Sequence, residues 1–383
     1  MRVALLTSDS RGFFSDYRNL VPEFGTAPEA LLQGCALLPD VEVHVVSCAR
    51  GKMISPTKLA PNVFFHSLCV PKLGWMSTGY QGCIRAVRSK LKELQPDIVH
   101  GQGTERDCAM SAIFSGFPNV VTIHGNMAEL ARLFRAPIGS FGWLAARLEN
   151  FALRRTAGVL CNSEYTERLV APRARQVWRV PNAIREQFFA PPTGLGGAAK
   201  CALVNVGHPC SRKRQLELIE VIRDLRGQGL KFEFQFVGDY RPTSPYVAAF
   251  LEKIKPLEKD GFVRCDGSKT TNELIRTFDA SAAMVHFPSE ESFGLVVAEA
   301  LARDLKFFGA RLGGIPEITV GASDAELFAA DDWRGLTSAI AAWIRRGFPR
   351  ADGSAQSIRT RYHPGVIARR HVEIYQEVLG RAA

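Results

Sequence analysis

Short apolar runs alternate with amphipathic stretches along almost the whole chain. Val3-Ala4-Leu5-Leu6 predicts a buried strand that ends in the polar loop Ser8 to Gly25, and a helical spacing then runs from Pro28 through Ala30, Leu31, Gly34, Leu37 and Leu38. Val41 to Ser47 alternates as a second strand. Tyr80, Ile84, Val87, Leu91 and Leu94 keep helical spacing beside a stripe of Arg85, Arg88 and Lys92. Strands are expected at Ile98 to His100, Asn119 to Ile123, Gly158 to Cys161 and Gln176 to Val180, each running into small polar residues. The segment 190–198 is rich in Pro and Gly and lacks periodicity, as a linker would. The alternation then resumes: strands at Cys201 to Val206, Phe232 to Phe236, Gly261 to Cys265, Ala282 to Phe287 and Lys306 to Phe308, a strand near Leu327, and a last helix from about Pro364 to Leu379. Thr270 to Glu273 has the spacing of a capping box. Strand and helix in alternation on both sides of one linker imply an α/β protein of two doubly wound, Rossmann-like domains facing across a cleft. Their expected extents are 1–190 for the first, 191–200 for the linker, 201–361 for the second, and 362–383 for a C-terminal helix returning to the first.

A chain of 383 residues with 46% hydrophobic content can bury two such cores. Its apolar runs are far shorter than the roughly 18 residues a bilayer span needs, and the apolar run after Met1 is too short for a signal peptide. A cytoplasmic location is therefore expected. Nine cysteines without a Cys-x-x-Cys pair read as reduced buried thiols, and no metal site is expected. The net charge of +10 lies mainly in the first half and favours an anionic partner there. Residues 130–155 mix arginines with Phe134, Phe141, Trp143 and Phe151, which fits either a membrane-surface contact or the packed face of a helix.

Chemistry concentrates in Pro288-Ser289-Glu290-Glu291-Ser292-Phe293-Gly294, which follows a strand and opens a helix carrying Glu299. Two acids near a helix start either complement its dipole or flank an anion held by its free N–H groups. Arg212-Lys213-Arg214 stand at another expected helix start, where three cations oppose the macrodipole and call for an anionic counterpart, a bound diphosphate being one candidate. His124-Gly125 follows a strand, at the edge where parallel sheets bind ligands. Gly101-Gln102-Gly103 begins a Gly-rich turn, but Arg106 takes the place of a third glycine, which weakens a dinucleotide-oxidoreductase reading.

Taken in order, Val121-Thr122-Ile123-His124-Gly125, Val180-Pro181-Asn182, Val206-Gly207 with Lys213, Phe236-Val237-Gly238-Asp239, the Glu291 to Glu299 pair around Phe293-Gly294, and Gly313-Gly314-Ile315-Pro316-Glu317 resemble the family 4 retaining glycosyltransferases of the GT-B class. The acid pair is similar to that family's E-x7-E signature. The resemblance implies that Glu299 binds the ribose hydroxyls of a nucleotide, and that Glu291 contacts the donor sugar. It implies a diphosphate held by Lys213 with Arg212, by the backbone of Phe293, Gly294, Leu295 and Val296, and near Gly207, His208 and Gly238. His124 would act as the catalytic-cleft histidine, with Gly25, Thr26 and Asn182 lining the acceptor side or the cleft.

The chain departs from the family pattern in places. His208 stands where an arginine is usual, Ala183-Ile184-Arg185 where Gly-Val-Asp is common, Gly25-Thr26 where two glycines are common, and Asp304 and Lys306 where Gly and Pro are common. The expectation is transfer of a hexose-type sugar from a nucleotide diphosphate donor to a glycan or lipid-linked acceptor, without metal or cofactor and without a nucleic-acid partner, with a weak contact at the inner membrane face. The alternatives are a non-catalytic GT-B protein that binds a nucleotide sugar, and another two-Rossmann enzyme such as a nucleotide-sugar epimerase.

Overall fold

The computed structural model describes residues 1–14, 16–191, 202–242, 244–350 and 353–382. The chain divides into two compact units, Met1–Arg185 with Tyr362–Ala383, and Glu186–Arg361.

Unit 1 is built on an eight-stranded sheet. Its strands are β1 (Arg2–Leu6), β2 (Glu42–Ala49), β3 (Lys58–Ala60), β4 (Val63–Cys69), β5 (Ile98–Gln102), β6 (Asn119–Ile123), β7 (Gly158–Cys161) and β8 (Val177–Arg179), in the order β3-β4-β2-β1-β5-β6-β7-β8. All neighbours are parallel except β3, which pairs antiparallel with β4. Successive strand residues face opposite sides, so a continuous apolar run serves two layers at once. Val3 and Leu5 pack with Ala30, Leu31, Ile367 and Tyr375 on one face; Ala4 and Leu6 pack with Ile84, Val87, Ala109 and Met110 on the other.

The helix Pro364–Ala382 belongs to unit 1, where it lies across the helix Thr26–Ala36. Gly34 makes that crossing possible: a Cβ there would stand 2.2 Å from the Pro364 carbonyl oxygen and 2.9 Å from the Ala368 Cβ. The chain after β1 carries structure of its own. It holds a short helix, Ser10–Phe14, and a fully buried Arg11 whose guanidinium pairs with Asp9 at 2.6 Å.

Unit 2 carries a six-stranded, wholly parallel sheet of β9 (Ala202–Val206), β10 (Glu233–Val237), β11 (Val263–Asp266), β12 (Ala283–His286), β13 (Lys306–Ala310) and β14 (Ala325–Phe328), in the order β11-β10-β9-β12-β13-β14. Its chain order reverses between β9 and β12, the switch point at which open parallel sheets bind ligands. The expected capping box is present at Thr270 and Glu273. The unit begins at Glu186, ahead of the expected boundary at 190, because Glu186–Phe189 is tied into it. Phe188 is fully buried and packs 6.2 Å from Phe278, and Arg303, paired with Asp279 at 2.7 Å, also donates to the carbonyls of Phe188 and Ala190. Apart from Pro191, the expected linker 191–200 lies outside the described residues.

Candidate functional site

Unit 2 gathers its candidate residues at the C-terminal ends of β9, β10 and β12. Gly207 and Gly238 follow β9 and β10 directly, and a Cβ on Gly238 would come within 2.4 Å of the Gly207 carbonyl oxygen, so the two turns touch only because Gly238 lacks a side chain. His208 lies beside them, its Nδ1 2.8 Å from the Asp239 carbonyl oxygen. After β12 the chain turns through Pro288 to Gly294, and the helix Leu295–Leu301 begins only after Gly294, whose φ of 102° favours glycine. Glu291 therefore lies before the helix. A shared helical face cannot align it with Glu299, which is buried on the helix itself.

Glu291 is instead placed by its neighbours. The turn Gly313-Gly314 packs onto its backbone: Gly314 N–H donates to the Glu291 carbonyl at 3.2 Å, and a Cβ on Gly313 would stand 1.7 Å from the same oxygen. Lys213 Nζ donates to Glu291 Oε2, and His286 Nε2, at the end of β12, lies 3.2 Å from that oxygen. Arg212 pairs with Glu290 at 3.2 Å, and the Ser289 N–H donates to the Arg212 carbonyl at 2.8 Å. Arg214 donates to the Ala330 carbonyl at 2.6 Å and to Asp331 at 3.0 Å. The three cations thus meet chain acceptors, Glu290 for Arg212, Glu291 for Lys213, and Ala330 with Asp331 for Arg214.

Burial works to raise the Glu291 carboxyl, but Lys213 and His286 outweigh it and hold the group well below the ordinary carboxylate range. Glu290 moves the other way: burial raises it, Arg212 opposes that only in part, and the Glu291 charge adds to the rise. Burial and the Lys213 charge push His286 down, against the pull of Glu291, so it is neutral near pH 7. The result is one carboxyl held well below the ordinary range by the cation against it, beside a second that burial raises.

In unit 1, His124 follows β6. Its Nε2 donates to Gln102 Oε1 at 2.9 Å, while its buried Nδ1 lacks a well-formed hydrogen bond. Burial pulls His124 down to about 4, and a hydrogen bond with the Asn182 side chain acts in the opposite direction. Gly25 and Thr26 stand exposed at the start of the helix Thr26–Ala36. Among the described residues, one group of metal-type ligands occurs, Cys48, Cys83 and Asp107, with ligand atoms within 4.8 Å of one another. Its Cys48 thiol is pushed well up by its hydrogen bond with Cys83 and by burial.

Two family models match the sequence in tandem, Glycosyltransferase Family 4 over residues 36–188 and Glycosyl transferases group 1 over residues 200–346, together well over half of the chain. This chain belongs to the GT-B glycosyltransferases of family 4. No curated protein sequence matches it. Among solved structures, the glycosyltransferase is similar to sucrose-phosphate synthase from Thermosynechococcus elongatus, with a TM-score of 0.76 at 15% identity and all of both chains covered. It is also similar to HepE from Anabaena in complex with UDP-glucose, with a TM-score of 0.73 at 15% identity over 98% of this chain and 100% of the other. A third likeness is to the lipopolysaccharide outer core galactosyltransferase WaaB, with a TM-score of 0.66 at 14% identity over 98% and 100%. At such identities the likeness shows the fold.

Sequence patterns alone miss two acids of the glycosyltransferase. Glu149, fully buried on the helix Phe141–Leu153, accepts from Thr104 Oγ1 at 2.7 Å, Met127 N–H at 2.8 Å, Ala128 N–H at 3.1 Å and Arg173 at 2.9 Å. Glu105 accepts from Gly125 N–H at 2.9 Å, and burial raises its carboxyl. Between them they clamp the segment that carries His124. Glu149 sits at an inward helical position among apolar residues, and a charge there is the one signal that could have exposed it.

Proposed function

We propose that this glycosyltransferase moves a hexose-type sugar, with retention, from a nucleotide diphosphate donor bound by unit 2 to a glycan or lipid-linked acceptor bound by unit 1. The observation that carries this reading is the grouping of Gly207, Lys213, Gly238, Glu291 and Gly294 at the ends of β9, β10 and β12, with Glu291 ionised against Lys213. Rupture of the sugar–phosphate bond leaves negative charge on the departing diphosphate. Fixed cations and backbone N–H groups aimed at that charge lower the barrier. Lys213, with Arg212 beside it, and the backbone of Phe293 to Val296 take this part, so no metal is needed for it. Glu291 contacts the donor sugar, Glu299 accepts from the two ribose hydroxyls as a carboxylate can, and His124 serves the reacting sugar. UDP-glucose, named for the Anabaena structure, is the first donor to try.

A peripheral membrane contact in the cytoplasm fits the exposed Leu133, Phe134, Ile138 and Phe141 beside Arg132 and Arg135. Among the described residues no helix is long and apolar enough to cross a membrane. The experiment is a panel of UDP-, GDP- and ADP-sugars assayed for nucleotide release with and without lipid extract. Turnover of one donor, with nucleotide binding lost in Glu299→Ala, is expected. No turnover together with unchanged nucleotide binding in Glu299→Ala would overturn the reading and favour a non-catalytic GT-B protein.

A further inference from the structure

Behind His124 runs a buried chain of polar side chains that the proposed chemistry leaves without a task. Gln102 pairs in register with Thr122 across β5 and β6, and His100, two residues earlier on β5, lies on the same face of the sheet as Gln102. Gln102 Oε1 accepts from His124 Nε2 at 2.9 Å, while Gln102 Nε2 lies 3.3 and 3.1 Å from the two ring nitrogens of His100. Those nitrogens lie 2.6 Å from the Tyr375 hydroxyl and 2.7 Å from Thr122 Oγ1. Tyr375 comes from the last helix. One turn before it, His371 Nδ1 donates to the Ile367 carbonyl at 2.8 Å, with its ring 5.5 Å from that of His100. His100, Gln102, Thr122, His371 and Tyr375 are all buried.

An amide oxygen can only accept, so the Gln102 contact requires the proton of His124 to sit on Nε2. In a neutral ring the other nitrogen then carries a lone pair. That other nitrogen, Nδ1, is the buried atom without a well-formed hydrogen bond. A reversed amide would set Gln102 Nε2 against His124 and let the ring take the opposite tautomer. In the observed orientation the amide oxygen faces His124 and the amide nitrogen lies against His100, whose ring nitrogens face the hydroxyls of Tyr375 and Thr122.

We propose that Gln102 is a positioning residue that holds neutral His124 as its Nε2–H tautomer, leaving Nδ1 to accept a hydrogen bond from a hydroxyl of the bound sugar or acceptor. The assignment rests on the reading of His124 as a residue of the reaction. The groups that bear on His124 besides Gln102 are His371 and His100 on the network side, Asn182, and Glu105, which holds the neighbouring Gly125 N–H. Both other histidines are driven down by burial, His371 to about 4, so the network is uncharged near pH 7.

The test uses full-length protein labelled with [15N]histidine, its His124 signals assigned by their loss in His124→Gln. At pH 7.5 the wild type is expected to show a protonated Nε2 and an unprotonated Nδ1. Gln102→Leu should populate the Nδ1–H form. Gln102→Glu, whose carboxylate still accepts, should keep Nε2–H and raise the His124 midpoint by about one pH unit or more. With the donor found by the panel, Gln102→Leu should lower kcat by about 10- to 100-fold at little change in donor KM, and Gln102→Glu should recover much of that while shifting the acid limb of the rate profile upward. An Nδ1–H signal in the wild type, or an unaltered tautomer in Gln102→Leu, would overturn the proposal. If the tautomer switches while kcat is untouched, His124 is not part of the reaction and the assignment falls with it, whereas the donor reading of unit 2 stands.

Discussion

Removing Lys213 leaves the buried carboxylate of Glu291 with only a neutral His286 against it. Two unit charges about 3 Å apart attract by roughly 5 kcal/mol at an effective dielectric of about 20, and desolvation of both groups takes back part of that. The side chains are 15% and 12% exposed, so water screens the pair only slightly. Lys213→Met should cost about 3 kcal/mol and Glu291→Gln about 2, while the double variant should cost about 3. The coupling is then about 2 kcal/mol, read from urea midpoints at constant m-value. The pH dependence has a definite sign. In the wild type the lowered folded pKa of Glu291 gives stability that is present above the ordinary carboxylate pKa and is lost as pH falls through the folded value. In Lys213→Met burial prevails and the carboxyl takes up a proton more readily, so the deficit against wild type should shrink between pH 7 and 5. The double variant should be no less stable than Lys213→Met, and should bind UDP at least tenfold more weakly than wild type, because the proposed diphosphate site has lost its cation. Additive single effects to within about 0.5 kcal/mol, or a deficit that is constant with pH, would refute the reasoning.

Gly34→Ala drives a methyl group into the Pro364 carbonyl, and the last helix must shift; a loss of about 2 kcal/mol and faster proteolysis within 364–382 are expected. Glu149→Gln keeps the shape but loses the charge that Arg173 and two N–H groups require. It should cost about 3 kcal/mol in urea unfolding, and hydrogen exchange should quicken at Met127 and Ala128. His124 and His371 titrate near 4 when folded and near 6.5 when unfolded, so the unfolded chain binds more protons between those values and stability falls as pH drops through that window. Each contributes at most about 3 kcal/mol, and His371→Gln should flatten the slope of urea midpoint against pH between 7 and 4.5.

By itself, the sequence determined that two parallel-sheet units occur in this order and which loops hold the candidate residues. Strand-length apolar runs such as Val3 to Leu6 and Met284 to Phe287 can only be buried on both faces, and small polar residues at their ends can only be turns. Those signals are local, and so is the order of glycines and acids that marks the family. The tertiary structure alone decided what each charge meets. Glu290 and Glu291 are adjacent in sequence, yet burial raises the first beyond what Arg212 offsets, while Lys213 and His286 pull the second well down against burial, and both cations come from 78 residues away. His124 had no visible partner in its own stretch. Its proton is placed by Gln102 from the neighbouring strand, and Tyr375, 275 residues beyond His100, closes the polar chain behind Gln102. Spacing along a chain fixes backbone periodicity and the face a side chain presents. The sign and strength of an electrostatic or hydrogen-bonding contact depend on distances and burial that exist only once remote segments have packed together.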